Sequence, residues 1–395
     1  MTPTVLERAP QERMHQAVRT TSLAMILFCV SHFFIDMYSG AMGALQPMLV
    51  TQYRLSFTHA GILGGTLYFS SSMLQPLYGY LSDRLHSKLF TALAPAVAGI
   101  FISAVGFAPD YRALLVMVFL GGCGMASFHP QAAANVIAGV VRNRARAMAI
   151  FVSSGTFGLA LAPTFFSKVS QRWGLPGAIW LAVPGIAMTL VLLVWQRAPV
   201  RLTHVAQPFN WAPLRAVWKP MTILYFLVFI RSAVQVTFSQ FLPLFLNTQR
   251  GYSLSQASYS LTLYLFAGAL GGFAGGAMAD RFGGRRVIMI SMIGSVPFLA
   301  LFLFTSGILS TLALMMGGLI MLFTIPVNVV MAQELAPSQT GTVSALMMGF
   351  AWGSAGLIFI PLTGWVSDVF SMQAAFTGLV LLPLIGFFLA LKLPK

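Results

Sequence analysis

Two charged residues stand inside apolar runs. Asp36 interrupts Ser22–Val50 and Arg231 interrupts Met221–Leu246. At membrane depth each such charge costs about 2.5–3.5 kcal/mol on insertion scales, so both should face a polar interior. His32 lies one helical turn before Asp36 and shares its helix face. His129 precedes Pro130 in another apolar run and is followed by Gln131 and Asn135. Gln75, Gln235 and Asn328 can line a polar path or equally bridge neighbouring helices. A carboxylate holds its proton more tightly when desolvated and less tightly beside a cation. An Asp36 whose neighbours change between two states would therefore load and release a proton, with His32 beside it. Arg231 is the natural contact for an anion, and His129, Gln75, Gln235 and Asn328 are candidates to bind the rest of a ligand. The bland alternative is a structural ion pair between Asp36 and Arg231.

Other chemistry finds little support. Cys29 and Cys123 lie in apolar runs without C-x-x-C or C-x-x-H spacing, so neither a disulfide nor a metal is indicated. No H-E-x-x-H, G-x-S-x-G or paired-carboxylate pattern occurs, so no enzyme and no cofactor is expected.

The elements that position these residues follow from composition. Of 395 residues 57% are hydrophobic and 8% charged, against about 25% charged in soluble proteins. So few charges cannot clothe a water-facing surface, and lipid is the expected surroundings. The formal charge of +15 falls in short clusters between apolar runs, which argues against a nucleic-acid partner. Breaks in the pattern predict twelve spans: Ser22–Val50, His59–Leu81, Leu89–Phe107, Leu114–Ala138, Ala147–Phe166, Ala178–Trp195, Met221–Leu246, Leu261–Met278, Val287–Thr305, Leu309–Met331, Val343–Val366 and Ala374–Leu391. The first run is too long for a signal peptide and carries Asp36, so it reads as an uncleaved span. With both termini in the cytoplasm, seventeen basic residues fall inside and five outside, the bias that a bacterial inner (plasma) membrane protein shows.

The chain also repeats itself. Gly79, Asp83 and Arg84 recur at an offset of 197 as Gly276, Asp280 and Arg281. Gly155, Gly158 and Pro163 recur at 198 as Gly353, Gly356 and Pro361, whereas Pro47/Pro243 and Pro130/Pro326 are 196 apart. The expected organisation is a cytoplasmic tail 1–21, a six-helix bundle 22–195, a cytoplasmic link 196–220, a second bundle 221–391 and a tail 392–395. The link interleaves Arg197, Arg201, Arg215 and Lys219 with Trp211 and Trp218, as a segment lying on anionic lipid does.

These features resemble the major facilitator superfamily, whose signature G-x-x-x-D-(R/K)-x-G-(R/K)-(R/K) follows span 2 and is echoed after span 8. Here it runs from Gly79 to Lys88, with His86 and Ser87 departing from it, and from Gly276 to Arg285, with Gly284 departing. Within the superfamily the chain is similar to fosmidomycin-resistance-type efflux proteins at Ser31–Asp36, Leu74–Pro76, Ser127–Pro130 and Gln333–Pro337. The resemblance implies an all-α membrane protein with twelve transmembrane helices in two pseudo-symmetric six-helix bundles. It implies that Gly79, Asp83, Arg84, Gly276, Asp280 and Arg281 hold an inner gate shut in the outward-facing state. Gly155, Gly158 and Pro163 resemble the family's antiporter motif, with Ala162 where glycine normally precedes the proline; with Gly353, Gly356 and Pro361 they form the helix-packing hinges. The span 4 arginine motif is absent, Met117 and Val118 standing before Gly121 and Gly122. The expectation is a monomeric, proton-coupled exporter of a small amphipathic or anionic molecule. The alternative is proton-coupled uptake or facilitated diffusion of a metabolite.

Overall fold

Lipid offers no partner to a backbone N–H or C=O, so each apolar run closes its own hydrogen bonds as a helix. A computed structural model shows the result for residues 5–85, 87–137, 144–196 and 212–394, excepting the side chains of 5–22, 83, 137, 144 and 145. Span 1 is part of one helix, Val5–Tyr53, whose apolar stretch is Leu23–Tyr53. Span 4 is Tyr111–Ile137, span 5 Arg144–Trp173, span 7 Trp218–Arg250, span 8 Leu254–Phe282, span 9 Gly284–Phe304 and span 12 Met372–Ala390. Among the described residues there is no strand.

The remaining spans change form along their length. Span 2 is Phe57–Tyr68, a π turn over Phe69–Met73, and Gln75–Leu85. Pro76 has no N–H and would crowd the carbonyl four residues back, so the helix cannot run straight through it. Span 3 is the short helix Leu89–Ser103 with a 3₁₀ turn at Val105–Phe107. Span 6 opens in 3₁₀ turns at Leu175–Ala182, ahead of the expected Ala178, and continues as Val183–Trp195. Span 10 is Gly307–Met321 and Thr324–Leu335, and span 11 is Pro337–Val369 with a π turn at Ala345–Phe350. Ten described helices are each long and apolar enough to cross a bilayer. The break in span 2 and the shortness of span 3 keep those two below that measure, and together they complete the twelve.

Both chain ends therefore lie on one side, here the terminal face, opposite the far face. The expected tail 1–21 is helical from Val5 and continuous with span 1. Of the expected link, 197–211 lie outside the described residues; a short helix, Ala212–Ala216, leads into span 7, which starts at Trp218 rather than Met221.

The repeat is visible as packing. A Cβ added at Gly79 would lie 3.6 Å from Pro130, and one at Gly276 3.7 Å from Pro326. Gly121 lies against Ile102 just as Gly317 lies against Leu299. Equivalent residues thus make equivalent contacts between spans 2 and 4 and spans 8 and 10, and between spans 3 and 4 and spans 9 and 10. The outer surface carries large apolar side chains such as Leu190, Phe304 and Ile308, as a lipid-facing bundle requires.

The halves meet through spans 2 and 11 and through spans 5 and 8. Gly61 packs on Ile360 and Pro361, Gly65 on Pro361, and Gly364 on the carbonyl of Phe57. Thr164 Oγ1 bonds Thr262 Oγ1 at 2.8 Å, and Ser255 Oγ donates to Gln171 Oε1 at 3.0 Å. The bonds of Asp368 to Phe57 and Thr58, of Thr164 to Thr262, of Ser167 to the Leu254 carbonyl and of Ser255 to Gln171 lie from mid-membrane toward the far face. The bundle is closed on the far side.

Candidate functional site

Asp36 sits near the middle of span 1, where the helix period places His32 on the same face. His32 Nε2 lies 3.3 Å from Asp36 Oδ2. The crossing of span 4 adds His129, whose Nε2 is 3.6 Å from Asp36 Oδ1. The other nitrogen of His32, Nδ1, is 2.8 Å from the carbonyl oxygen of Phe151 in span 5. A carbonyl only accepts, so Nδ1 is the donor there. Nε2 therefore faces the carboxylate with a lone pair unless a proton lies between them. The His32 ring also stacks on Phe151, their centroids 4.1 Å apart. Span 5 comes this close because Gly155 has no side chain: a Cβ there would run into Asp36 and His32. One ligand atom from each of His32, Asp36 and His129 falls within 4.8 Å of the others, a spacing that can share a proton and that could also close on a divalent cation.

Arg231 lies across the molecule in span 7, buried to 4% exposure. Its Nη1 donates to Gln235 Oε1 at 2.7 Å, one turn along the same helix. The guanidinium lies over Trp352 of span 11, 5.2 Å from the ring centroid, a geometry that attracts a cation. Its Nε is buried and has no hydrogen-bond partner. Asn328 in span 10 is fully buried with both amide atoms unpartnered, and so is the hydroxyl of Tyr264 in span 8. Among the described residues no ion pair joins Arg231 to Asp36. The partners of the carboxylate among the described residues are instead histidines of the first half.

The other candidates divide by neighbourhood. His129, expected with the ligand-binding group, stands with Asp36 instead. Gln75 Nε2 donates to Ser71 O at 2.9 Å and so closes the π turn of its own span. Gln131 holds the loop after span 2, donating to Ser82 Oγ at 2.7 Å and Ser87 O at 3.1 Å. It steadies that loop at Ser87, a position that departs from the motif. The Asp83 side chain is outside the described residues, and Arg84 Nη1 reaches Tyr80 Oη at 3.3 Å. Asp280 and Arg281 are exposed on the terminal face.

The hinge glycines serve different partners. Gly158 of span 5 abuts the Phe33 backbone in its own half; Gly353 and Gly356 of span 11 abut Met73 and Tyr68 of the opposite half. Pro163 is buried within span 5, and Pro361 meets Gly61 and Gly65. Nothing in the sequence marks Trp352 or Gly155 as a neighbour of these charges. Trp352 stands three residues before Ala355 in a glycine-rich helix, and only helix crossing brings it to Arg231.

A profile of the Major Facilitator Superfamily matches residues 25–359 and again 224–395. The chain is 29% identical over 380 residues to the MFS-type transporter YfnC of Bacillus subtilis (strain 168), covering 94% of this chain and 92% of that one. It is 28% identical over 369 residues to the fosmidomycin resistance protein of Escherichia coli (strain K12), covering 90% and 89%. A solved bacterial homologue of the human lysosomal transporter Spinster, inward-facing and occupied, superposes with a TM-score of 0.81 at 15% identity, covering 94% of this chain and 96% of that one.

Proposed function

Because the chain belongs to the Major Facilitator Superfamily, we propose that it exports a small amphipathic anion across the bacterial inner membrane in exchange for protons, by alternating access. The observation that carries this reading is Arg231, a buried guanidinium whose Nε is unpartnered and which no carboxylate among the described residues pairs. Such a group is stabilised by an incoming anion, whereas Trp352 and Gln235 hold it in place meanwhile. The His32–Asp36–His129 cluster is the proton-coupling site of the same scheme. A proton shared between imidazole and carboxylate resolves the facing lone pairs at His32, and a movement of His129 on span 4 relative to span 1 changes how tightly the carboxylate holds it.

The terminal face is cytoplasmic in this reading, supported by the basic residues that cluster there. Closure on the far face then corresponds to a transporter open to the cytoplasm, ready to load. The motifs at Gly79–Arg84 and Gly276–Arg281 engage when that side shuts. Export is supported by a relative named for resistance to fosmidomycin. Both sites lie in one chain, so a monomer suffices.

The test is sensitivity profiling of an efflux-deficient bacterium expressing the chain, with fosmidomycin and a panel of organic anions. Resistance and lowered accumulation of at least one anion are expected, both lost in Asp36→Asn. Raised accumulation would mean uptake, and no change for any compound would sink the export reading.

A further inference from the structure

Asp368 ends span 11 on the far face, a place where helix electrostatics disfavour an acid. The C-terminal end of a helix carries partial negative charge, so a carboxylate there is repelled by its own helix. Its partners lie in the other half. Asp368 Oδ1 accepts from Phe57 N at 2.9 Å, and Oδ2 accepts from Thr58 N at 2.7 Å and from Thr58 Oγ1. Phe57 and Thr58 are the first residues of span 2.

A helix start leaves four backbone N–H groups without partners inside the helix. In span 2, Ser56 Oγ accepts only one of these, His59 N at 3.2 Å, and Ala60 N already reaches Ser56 O at 3.0 Å. Those of Phe57 and Thr58 are taken by Asp368. Span 8 starts at the equivalent place in the repeat, and it carries a capping box of its own. Ser253 Oγ accepts from Gln256 N at 3.2 Å, and Gln256 Oε1 accepts from Ser253 N at 3.0 Å. His59 occupies the position of Gln256, and its ring nitrogen bonds the Ser56 hydroxyl instead of the cap N–H. The box of span 8 serves Ser253 N and Gln256 N from within its own half, whereas in span 2 the opposite half serves Phe57 N and Thr58 N.

The borrowed cap exists only while the far side is shut. Beside it, Gly364 touches the Phe57 carbonyl and Gly61 the Ile360 carbonyl, so separating spans 2 and 11 there must break all three hydrogen bonds. We propose that Asp368 is a far-face latch: it completes the N-terminal cap of span 2 across the half-to-half seam and biases the transporter toward the state closed on that side. Calling this the outer gate rests on the orientation proposed above; the bias itself does not.

The test uses purified full-length protein in lipid nanodiscs, where both faces are accessible and neither orientation nor substrate enters. With Cys29→Ala and Cys123→Ala as background, Ile360→Cys places a thiol in the span 2–span 11 contact, to be labelled with a maleimide. Asp368→Asn and Thr58→Val should each raise the labelling rate, by roughly two- to thirtyfold, the range that a lost helix cap spans. Ser253→Ala, which weakens a self-contained cap, should leave the rate near that of the parent. Unchanged labelling in both latch variants overturns the proposal, and so does an equal rise in Ser253→Ala, which would mean general loosening. If Asp368→Asn does not fold, Thr58→Val decides alone.

Discussion

Asp36 lies within 3.3 Å of one imidazole and 3.6 Å of another, on a floor made by Gly155. Arg231, at similar depth in the other half, has a glutamine, an indole face and an Nε with no partner. Duplication supplied equivalent helices, and the two halves then furnished them differently. The first half satisfies its charge internally, so that cluster is suited to exchanging a proton among fixed groups. The second half leaves donor capacity unused in a buried place, which leaving unmade costs about 1–3 kcal/mol per group, and which a bound anion recovers.

The largest effect expected from breaking this contrast is at Arg231. Arg231→Met should weaken binding of a transported anion to purified protein by more than about thirtyfold, the scale of a buried charge contact. Its melting temperature should equal or exceed that of the parent, because an apolar side chain often replaces an incompletely paired buried charge without loss. Retained anion binding would remove the contrast altogether. Asp36→Leu should do the reverse to stability, lowering it by about 1–3 kcal/mol as His32 and His129 lose their common partner. Thermal unfolding of the two variants side by side measures the sign, and equal shifts would mean that both charges are merely structural. The smallest effect separates the hinge glycines. Gly158→Ala presses on the Phe33 backbone within one half and should lower the melting temperature. Gly356→Ala presses on the Tyr68 ring across the seam and should chiefly speed maleimide labelling at the span 2–span 11 contact. A common response in both would show that spans 5 and 11 play the same part.

Local spacing made some of the site legible. His32 with Asp36 and Arg231 with Gln235 are pairs four apart, which any helix brings together. In the sequence His129 reads with the ligand group because nothing near it in the chain points to Asp36, 93 residues away; only the crossing of spans 1 and 4 joins them. Trp352 is hidden for the same reason, being one aromatic residue among many in apolar spans. Asp368 did leave a signal: an acid at the C-terminal end of a helix is unfavourable there and implies a partner elsewhere.

The amino-acid sequence alone determined that the chain crosses a membrane about twelve times, that its halves are copies, and which two charges are buried. Those properties follow from hydrophobicity summed over each span, the chain's internal likeness and the cost of charge in lipid, none of which depends on how the helices pack. The tertiary structure decided which groups share the Asp36 proton site, that Arg231 stands apart from it, and that span 2 takes its cap from Asp368. Those depend on side chains meeting across helix crossings, and a crossing is set by steric fit between surfaces far apart in the chain.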